Sequence, residues 1–148
     1  MPAADGAADH LPGLELPDLV LPSSQGDVNV RDFDVVYVYP RAGRPGRPSP
    51  PGWDETPGAR GCTPQSCAFR DLHGELRALG ATVHGLSAQP LDEQREFAER
   101  ERIPYPLLND SGLRLAEDPG FPTFEAGGMR LYRRLTLIAR PGLIEQVI

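Results

Sequence analysis

An α/β sandwich on a central mixed β-sheet is the fold that the sequence predicts. Strand-like and helix-like patterns alternate from residue 34 to residue 110, and two short apolar runs around a turn close the chain. That order is the pattern of a sheet with packed helices and a terminal hairpin. With 148 residues the chain is one domain by size, enough for a single buried core.

The first ten residues, MPAADGAADH, read as a loose tail. LPDLVLPSSQGDVNV predicts two short strands about a Ser-Ser-Gln-Gly-Asp turn. DVVYVY, from Asp34 to Tyr39, is a strong strand of β-branched and aromatic residues with no breaker before Pro40. From Arg41 to Gly61 the chain holds five Pro and five Gly in 21 residues, a density that neither helix nor ladder tolerates. Loops of that length are usually functional or disordered. This one carries the only tryptophan, Trp53. Its RPGRPSPP run fits a polyproline II ligand, and more simply a solvated insertion.

A helix follows, on the three- and four-residue recurrence of Phe69, Leu72, Leu76 and Leu79. Thr63 and Pro64 suit its cap and first turn, and Gly80 its stop. ATVHGLS is the next strand, and Pro90 opens a second helix with Leu91, Phe97 and Ala98 as a sparse apolar side. YPLLND is short and extended, and SGLRLAED makes one or two helical turns. YRRLTLIA and GLIEQVI form a last hairpin around Arg140-Pro141-Gly142. The right-handed crossover rule sets the first helix between two parallel strands. Its N-terminus then lies at the C-terminal edge of the first of them, where ligands bind in open α/β sheets.

Hydrophobic residues at 39% and charged residues at 24% are ordinary for a soluble globular protein. A net charge of -6 argues against broad attraction to nucleic acid or to an anionic membrane. All fifteen cations are arginine, and three of them in the acidic chain's loop (Arg41, Arg44, Arg47) make a poor nucleic-acid site. No apolar run approaches the roughly 20 residues of a membrane span. The N-terminal stretch lacks the basic region of a secretory signal, so a cytoplasmic location is expected.

The only two cysteines, Cys62 and Cys67, lie five positions apart at a helix start. Two are too few for a disulfide scaffold, and in a reducing compartment a close pair is more often catalytic or metal-binding. Unpaired N–H groups and the positive dipole end favour a thiolate at Cys62, and Arg60 or Arg134 would add to the effect. Such a thiolate attacks a hydroperoxide to give a sulfenic acid, which a second thiol condenses into a disulfide. Cys67 is the available intramolecular partner. Taken alone it is equally well a small packed hydrophobe. In one regular helix the two Cα atoms rise ~7.5 Å apart, beyond the roughly 7 Å reach of an unstrained bridge. Either the first turn unwinds or Cys62 stands outside the helix as the residue before a Thr63 cap. No metal is expected, because two thiols with His10, His73 and His84 match no zinc spacing. The thioredoxin-type C-x-x-C is absent.

The segment YP…TPG…GCTPQSCAFRD resembles the active-site run of peroxiredoxins of the bacterioferritin-comigratory, or Q, type. LPDLVLPSSQGDVNVRDF resembles that family's opening hairpin, GATVHGLSAQPLDEQREFAERERIPYPLLND its strand, helix and strand, and RRLTLI a later strand. The resemblance runs from Leu14 to Ile148. It implies a thioredoxin-like three-layer sandwich, thiol-dependent peroxidase activity, and no metal or organic cofactor. It makes Cys62 the peroxidatic cysteine, Cys67 the resolving cysteine, Pro40 the proline that shields the site, and Arg134 the arginine that steadies the thiolate and orients the peroxide. Arg133 is expected to point to the opposite face, and Gln65 takes a Glu/Gln position. The partners implied are a peroxide and a thioredoxin or similar dithiol reductant, with the chain a monomer or weak homodimer.

Three departures stand out. Pro40 and Cys62 are 22 positions apart, far more than in the family. The motif threonine belongs three residues before the cysteine, where Ala59 stands; Thr56 keeps its Pro-Gly neighbours, with Ala59-Arg60-Gly61 as the extra residues. The sequence stops at Ile148, where the family adds a strand extension and a C-terminal helix. The displaced threonine and the missing C-terminal helix favour the alternative of a weakly active or non-catalytic redox sensor on the same fold; the intact cysteine pair and Arg134 favour the peroxidase.

Overall fold

The computed structural model describes residues 8–41, 62–126 and 128–148, with residues 62–65 described through their backbone. The Pro/Gly-rich stretch from residue 42 to residue 61 lies outside the described residues, as do residues 1–7 of the expected tail. Residues 8–10 form a turn, with Ala8 packed against the core and His10 Nε2 2.8 Å from the Gly120 carbonyl oxygen.

Five strands form the central sheet: β3 (Val35–Val38), β4 (Val83–Ser87), β5 (Leu107–Asn109), β8 (Leu135–Arg140) and β9 (Leu143–Val147). Their order is β5-β4-β3-β8-β9. β3, β4 and β5 run parallel, while β8 and β9 are antiparallel, so the sheet is mixed as expected. The opening hairpin also forms, as β1 (Val20–Leu21) paired with β2 (Val28–Asn29). One element was not foreseen. β6 (Thr123–Ala126) and β7 (Met129–Tyr132) make a separate hairpin, so the expected strand YRRLTLIA breaks at Arg133-Arg134. Tyr132 closes β7 and Leu135 opens β8.

Side-chain alternation along β3 divides the core, because successive strand residues face opposite ways. Val36 and Val38 join an aliphatic cluster with Leu86, Leu108, Leu137 and the N-terminal segment. The 3₁₀ turn Val30–Asp32 and the one-turn helix α3 (Arg114–Glu117) cover this face through Val30 and Leu115. Tyr37 and Tyr39 face the other side with Val83, Phe97, Tyr105 and Leu107. There α1 (Cys62–Ala78) contributes Phe69 and Leu76, and α2 (Leu91–Arg100) contributes Phe97 and Ala98. Helices thus cover both faces of the sheet.

The start and the face of α1 differ from expectation. It begins at Cys62, so Thr63 lies inside the helix instead of capping it. Pro64 costs no hydrogen bond in the first turn, where backbone N–H groups have no intrahelical partner. Gly80 ends the helix as expected, at φ +83°, with Ala81 N–H bonded back to the Leu76 carbonyl at 2.9 Å. Leu72 is 47% exposed and Leu79 83% exposed, so the leucine stripe is not the buried face. Ser66, Phe69, His73 and Leu76 face inward, and Ser66 is fully buried. Polar groups beneath the helix rotate it onto this face.

Gly85 makes room for those groups. A Cβ there would lie 2.6 Å from Leu107 Cδ2 and 2.9 Å from the Tyr37 ring and hydroxyl. Gly85→Ala is therefore expected to destabilise the fold by about 1–3 kcal/mol, the usual cost of overpacking. Urea unfolding measures this, and an unchanged midpoint would contradict the packing described.

Candidate functional site

The C-terminal ends of β3, β4 and β5 meet where α1 begins. Pro40 follows β3 and is buried. Its carbonyl accepts a hydrogen bond from Ser87 Oγ at 3.0 Å, at the end of β4. Ser87 Oγ in turn accepts the Gln89 N–H at 3.1 Å, and Asn109 Nδ2 donates to the Gln89 carbonyl at 2.6 Å, tying in β5. Arg41 continues this rim, with Nη2 2.8 Å from Glu93 Oε1 in the first turn of α2. The edge is thus held by polar bonds between the three parallel strands.

Arg134 reaches the same edge from the antiparallel side. Val38 pairs with Leu135, so the residue before Leu135 stands beside the end of β3. Arg134 is half-buried, whereas Arg133 is exposed and its Nε donates to the Thr123 carbonyl at 3.3 Å. The two arginines thus differ in surroundings, but both lie between β7 and β8, so the expected alternation along one strand does not apply to them. Upstream, Tyr132 is anchored by its hydroxyl to Asp110 Oδ2 at 2.6 Å. Asp110 also accepts the N–H groups of Arg114 and Leu115, both at 3.0 Å, so one buried carboxylate holds the start of α3 and the end of β7 together. Burial, reinforced by Asp110, pushes the Tyr132 hydroxyl well above its ordinary pKa, so it stays a donor.

Cys62 is the first residue of α1 and Cys67 stands five residues on in the same helix. An axial rise of ~7.5 Å separates their Cα atoms in a regular helix. A bridge between them requires the first turn to unwind. Cys67 is half-buried, and its thiol lies 3.7 Å from Glu101 Oε2, at the end of α2. Burial pushes this thiol up; Arg70 opposes that, and Glu101 and Asp71 add to it. Thr56, Trp53 and Arg60 lie outside the described residues, as does the side chain of Gln65.

Sequence reasoning missed the aromatic cluster under the helix. Tyr37 OH donates to Ser66 Oγ at 2.9 Å and lies 2.8 Å from Tyr105 OH, and Tyr105 OH donates to the Ser66 carbonyl at 2.8 Å. Both hydroxyls are pushed up, chiefly by burial, and remain protonated donors. Phe69 stacks on Tyr37 with ring centroids 4.9 Å apart. The available signal was a serine flanked by the cysteine pair on the inward side of the helix. The three histidines go to separate places: His10 to Gly120, His73 beside Tyr105 and His84 beside Phe33. Among the described residues, no group of three or more His, Cys, Asp or Glu could hold a metal ion.

Residues 55–147 match the AhpC/TSA family, a stretch that contains both cysteines, β4 through β9 and Arg134. The chain belongs to the AhpC/TSA family. Within that family it groups with the Q-type peroxiredoxins of thioredoxin-like fold. This AhpC/TSA chain is 34% identical over 113 residues to the chloroplastic peroxiredoxin Q of Suaeda salsa, covering 76% of this chain and 45% of the relative. It is 38% identical over 88 residues to that of Arabidopsis thaliana, covering 60% of this chain and 34% of the relative. The chain thus spans less than half the length of these curated relatives. Among solved structures, Mycobacterium tuberculosis peroxidoxin BcpB superposes with TM-score 0.70 at 28% identity, over 94% of this chain and 86% of that one. A Xanthomonas campestris peroxiredoxin Q variant, at 23% identity and TM-score 0.68 over 91% of this chain and 85% of that one, shares the fold. The cytoplasmic expectation is corrected by the curated relatives, whose chloroplastic names point to a plastid. Lack of a secretory pattern argued only against export, and the physical marks of a reducing compartment do not separate cytosol from plastid stroma.

Proposed function

We propose that this chain is a single-domain thiol peroxidase that reduces hydrogen peroxide or small alkyl hydroperoxides. The carrying observation is that α1 begins at Cys62, on the sheet edge that also receives Pro40 and Arg134. The helix N-terminus favours the Cys62 thiolate. Its sulfur attacks the nearer peroxide oxygen, the O–O bond breaks, and the leaving alkoxide or hydroxide takes a proton and departs as alcohol or water. Cys62 is left as the sulfenic acid. Arg134 steadies the thiolate and the departing oxygen, Pro40 limits water at the site, and the Thr56 hydroxyl orients the peroxide. Cys67 then condenses with the sulfenic acid, releasing water and forming the disulfide. A thioredoxin-like dithiol protein returns both cysteines to thiols, and the working unit is a monomer or weak homodimer.

Stopped-flow mixing of reduced protein with hydrogen peroxide, coupled to thiol-trapping mass spectrometry, tests this. The wild type is expected to form the disulfide, Cys67→Ser to accumulate a sulfenic acid at Cys62, and Cys62→Ser to react no faster than a small free thiol. A wild-type rate no better than that of a small thiol would sink the peroxidase reading and leave a slow redox sensor.

A further inference from the structure

We propose that Glu101 is a catalytic residue of the resolving step, taking the proton from Cys67 as its sulfur attacks Cys62. This rests on the peroxidase reading above. A sulfenic acid is attacked by a thiolate, whereas the surroundings of Cys67 hold it as a thiol. The step therefore needs a proton acceptor in contact with Cys67. Glu101 Oε2 is that contact, 3.7 Å from Sγ.

The carboxylate is held for the purpose by both helices. Glu101 follows the last residue of α2, and its N–H bonds back to the Phe97 carbonyl at 2.9 Å. Arg70, one turn after Cys67 on α1, donates to the Glu101 carbonyl oxygen at 2.8 Å and lies 3.7 Å from Oε2. Arg100 approaches Oε1 at 3.8 Å. The carboxylate is 28% exposed, so a proton it accepts can pass on to solvent.

Resolution requires the helix start to move, and the buried tyrosines decide which part moves. Ser66 is tied through both its hydroxyl and its carbonyl. Unwinding of residues 62–65 carries Cys62 toward Cys67 while Ser66 stays fixed and Cys67 keeps its place beside Glu101. The balance is then complete. The Cys67 S–H proton goes to the Glu101 carboxylate and the sulfur pair forms the S–S bond. The Cys62 S–O bond breaks, and the hydroxide takes a proton from Glu101 or solvent and leaves as water. Cys67 is oxidised and the Cys62 sulfur is reduced by the same electron pair.

The groups around Cys67 that bear on a pH profile are Arg70 and Asp71 on its own helix, Glu101 at the end of α2, and Tyr105 ahead of β5. The experiment is a single pulse of peroxide, with disulfide formation followed separately from Cys62 oxidation between pH 5.5 and 9. Wild type, Glu101→Gln and Glu101→Asp are compared, with thermal melts confirming that each is folded. Glu101→Gln is expected to slow disulfide formation at least tenfold at neutral pH, to approach wild type at alkaline pH where Cys67 ionises unaided, and to be partly rescued by Glu101→Asp. Equal or faster closure in Glu101→Gln, or one constant factor of slowing at all pH values, overturns the proposal. If wild-type Cys62 is not oxidised by peroxide, the peroxidase reading fails on its own. Closure is then read by limiting Ellman's reagent, with Cys62 labelling confirmed by mass spectrometry, as release of thionitrobenzoate when Cys67 attacks. The same slowing and pH dependence are required there, and their absence overturns the role of Glu101.

Discussion

Replacing Arg134 with methionine is expected to slow the oxidation of Cys62 by hydrogen peroxide about a hundredfold or more, the typical cost of losing one preorganised group facing developing charge. Two contributions make up that loss. In the proposed mechanism the guanidinium favours the thiolate, so its removal is expected to move Cys62 ionisation to higher pH; alkylation rate against pH measures this part. In that mechanism it also faces the oxygen on which charge grows as the O–O bond breaks, and the slowing that survives at high pH measures this second part. Arg134→Lys keeps the charge but not the planar fork and should recover only the first. Arg133→Met is the internal control. It changes the charge equally on the adjacent residue, but that side chain is exposed and bonded back to Thr123. Stopped-flow rates for the three variants decide the matter. Equal slowing in the Arg133 and Arg134 variants would show a general field effect and remove Arg134 from the site.

Asp110→Ala is expected to cost about 3–5 kcal/mol of stability, the scale of breaking a buried charged network. Asp110 is almost wholly buried and has three donors: the Arg114 and Leu115 N–H groups and the Tyr132 hydroxyl. Alanine leaves these donors without their acceptor in a closed space. The loss is a large part of the 5–15 kcal/mol that holds a typical domain together. Asp110→Asn keeps one acceptor oxygen and the shape, and should lose markedly less. Urea unfolding of both variants measures the difference. An Asp110→Ala protein as stable as Asp110→Asn would deny the carboxylate its role as the joint between α3 and β7.

The sheet core was legible because its signals are local. DVVYVY and ATVHGLS are β-branched and apolar, and they form adjacent parallel strands β3 and β4. The position of the cysteine pair was legible for the same reason: a five-residue spacing at a helix start is local, and Cys62 opens α1 with Cys67 following in it. Groups brought together by folding were not legible. Tyr37 is 29 residues from Ser66 and 68 from Tyr105, and Cys67 is 34 from Glu101. No window of sequence spans those separations. The leucine stripe misled because amphipathic periodicity counts apolar residues alone, while the buried face of α1 includes Ser66 and His73. The β6–β7 hairpin was missed because Tyr132 and Leu135 read as one apolar run, although two arginines between them end one strand before the next begins.

The fixed point at Ser66 also sets the scale of any redox-driven rearrangement. Ahead of it stand only Cys62, Thr63, Pro64 and Gln65, none with a large apolar side chain. Pro64 has no N–H group, and those of the other three lie in the first turn, where a helix supplies no partner. Opening this short segment gives up only the backbone bonds that its few carbonyls accept, so the helix body and the sheet beneath it can keep their shape. On the proposed mechanism each redox cycle would then work a spring with a short free end, storing little work and returning to the same register.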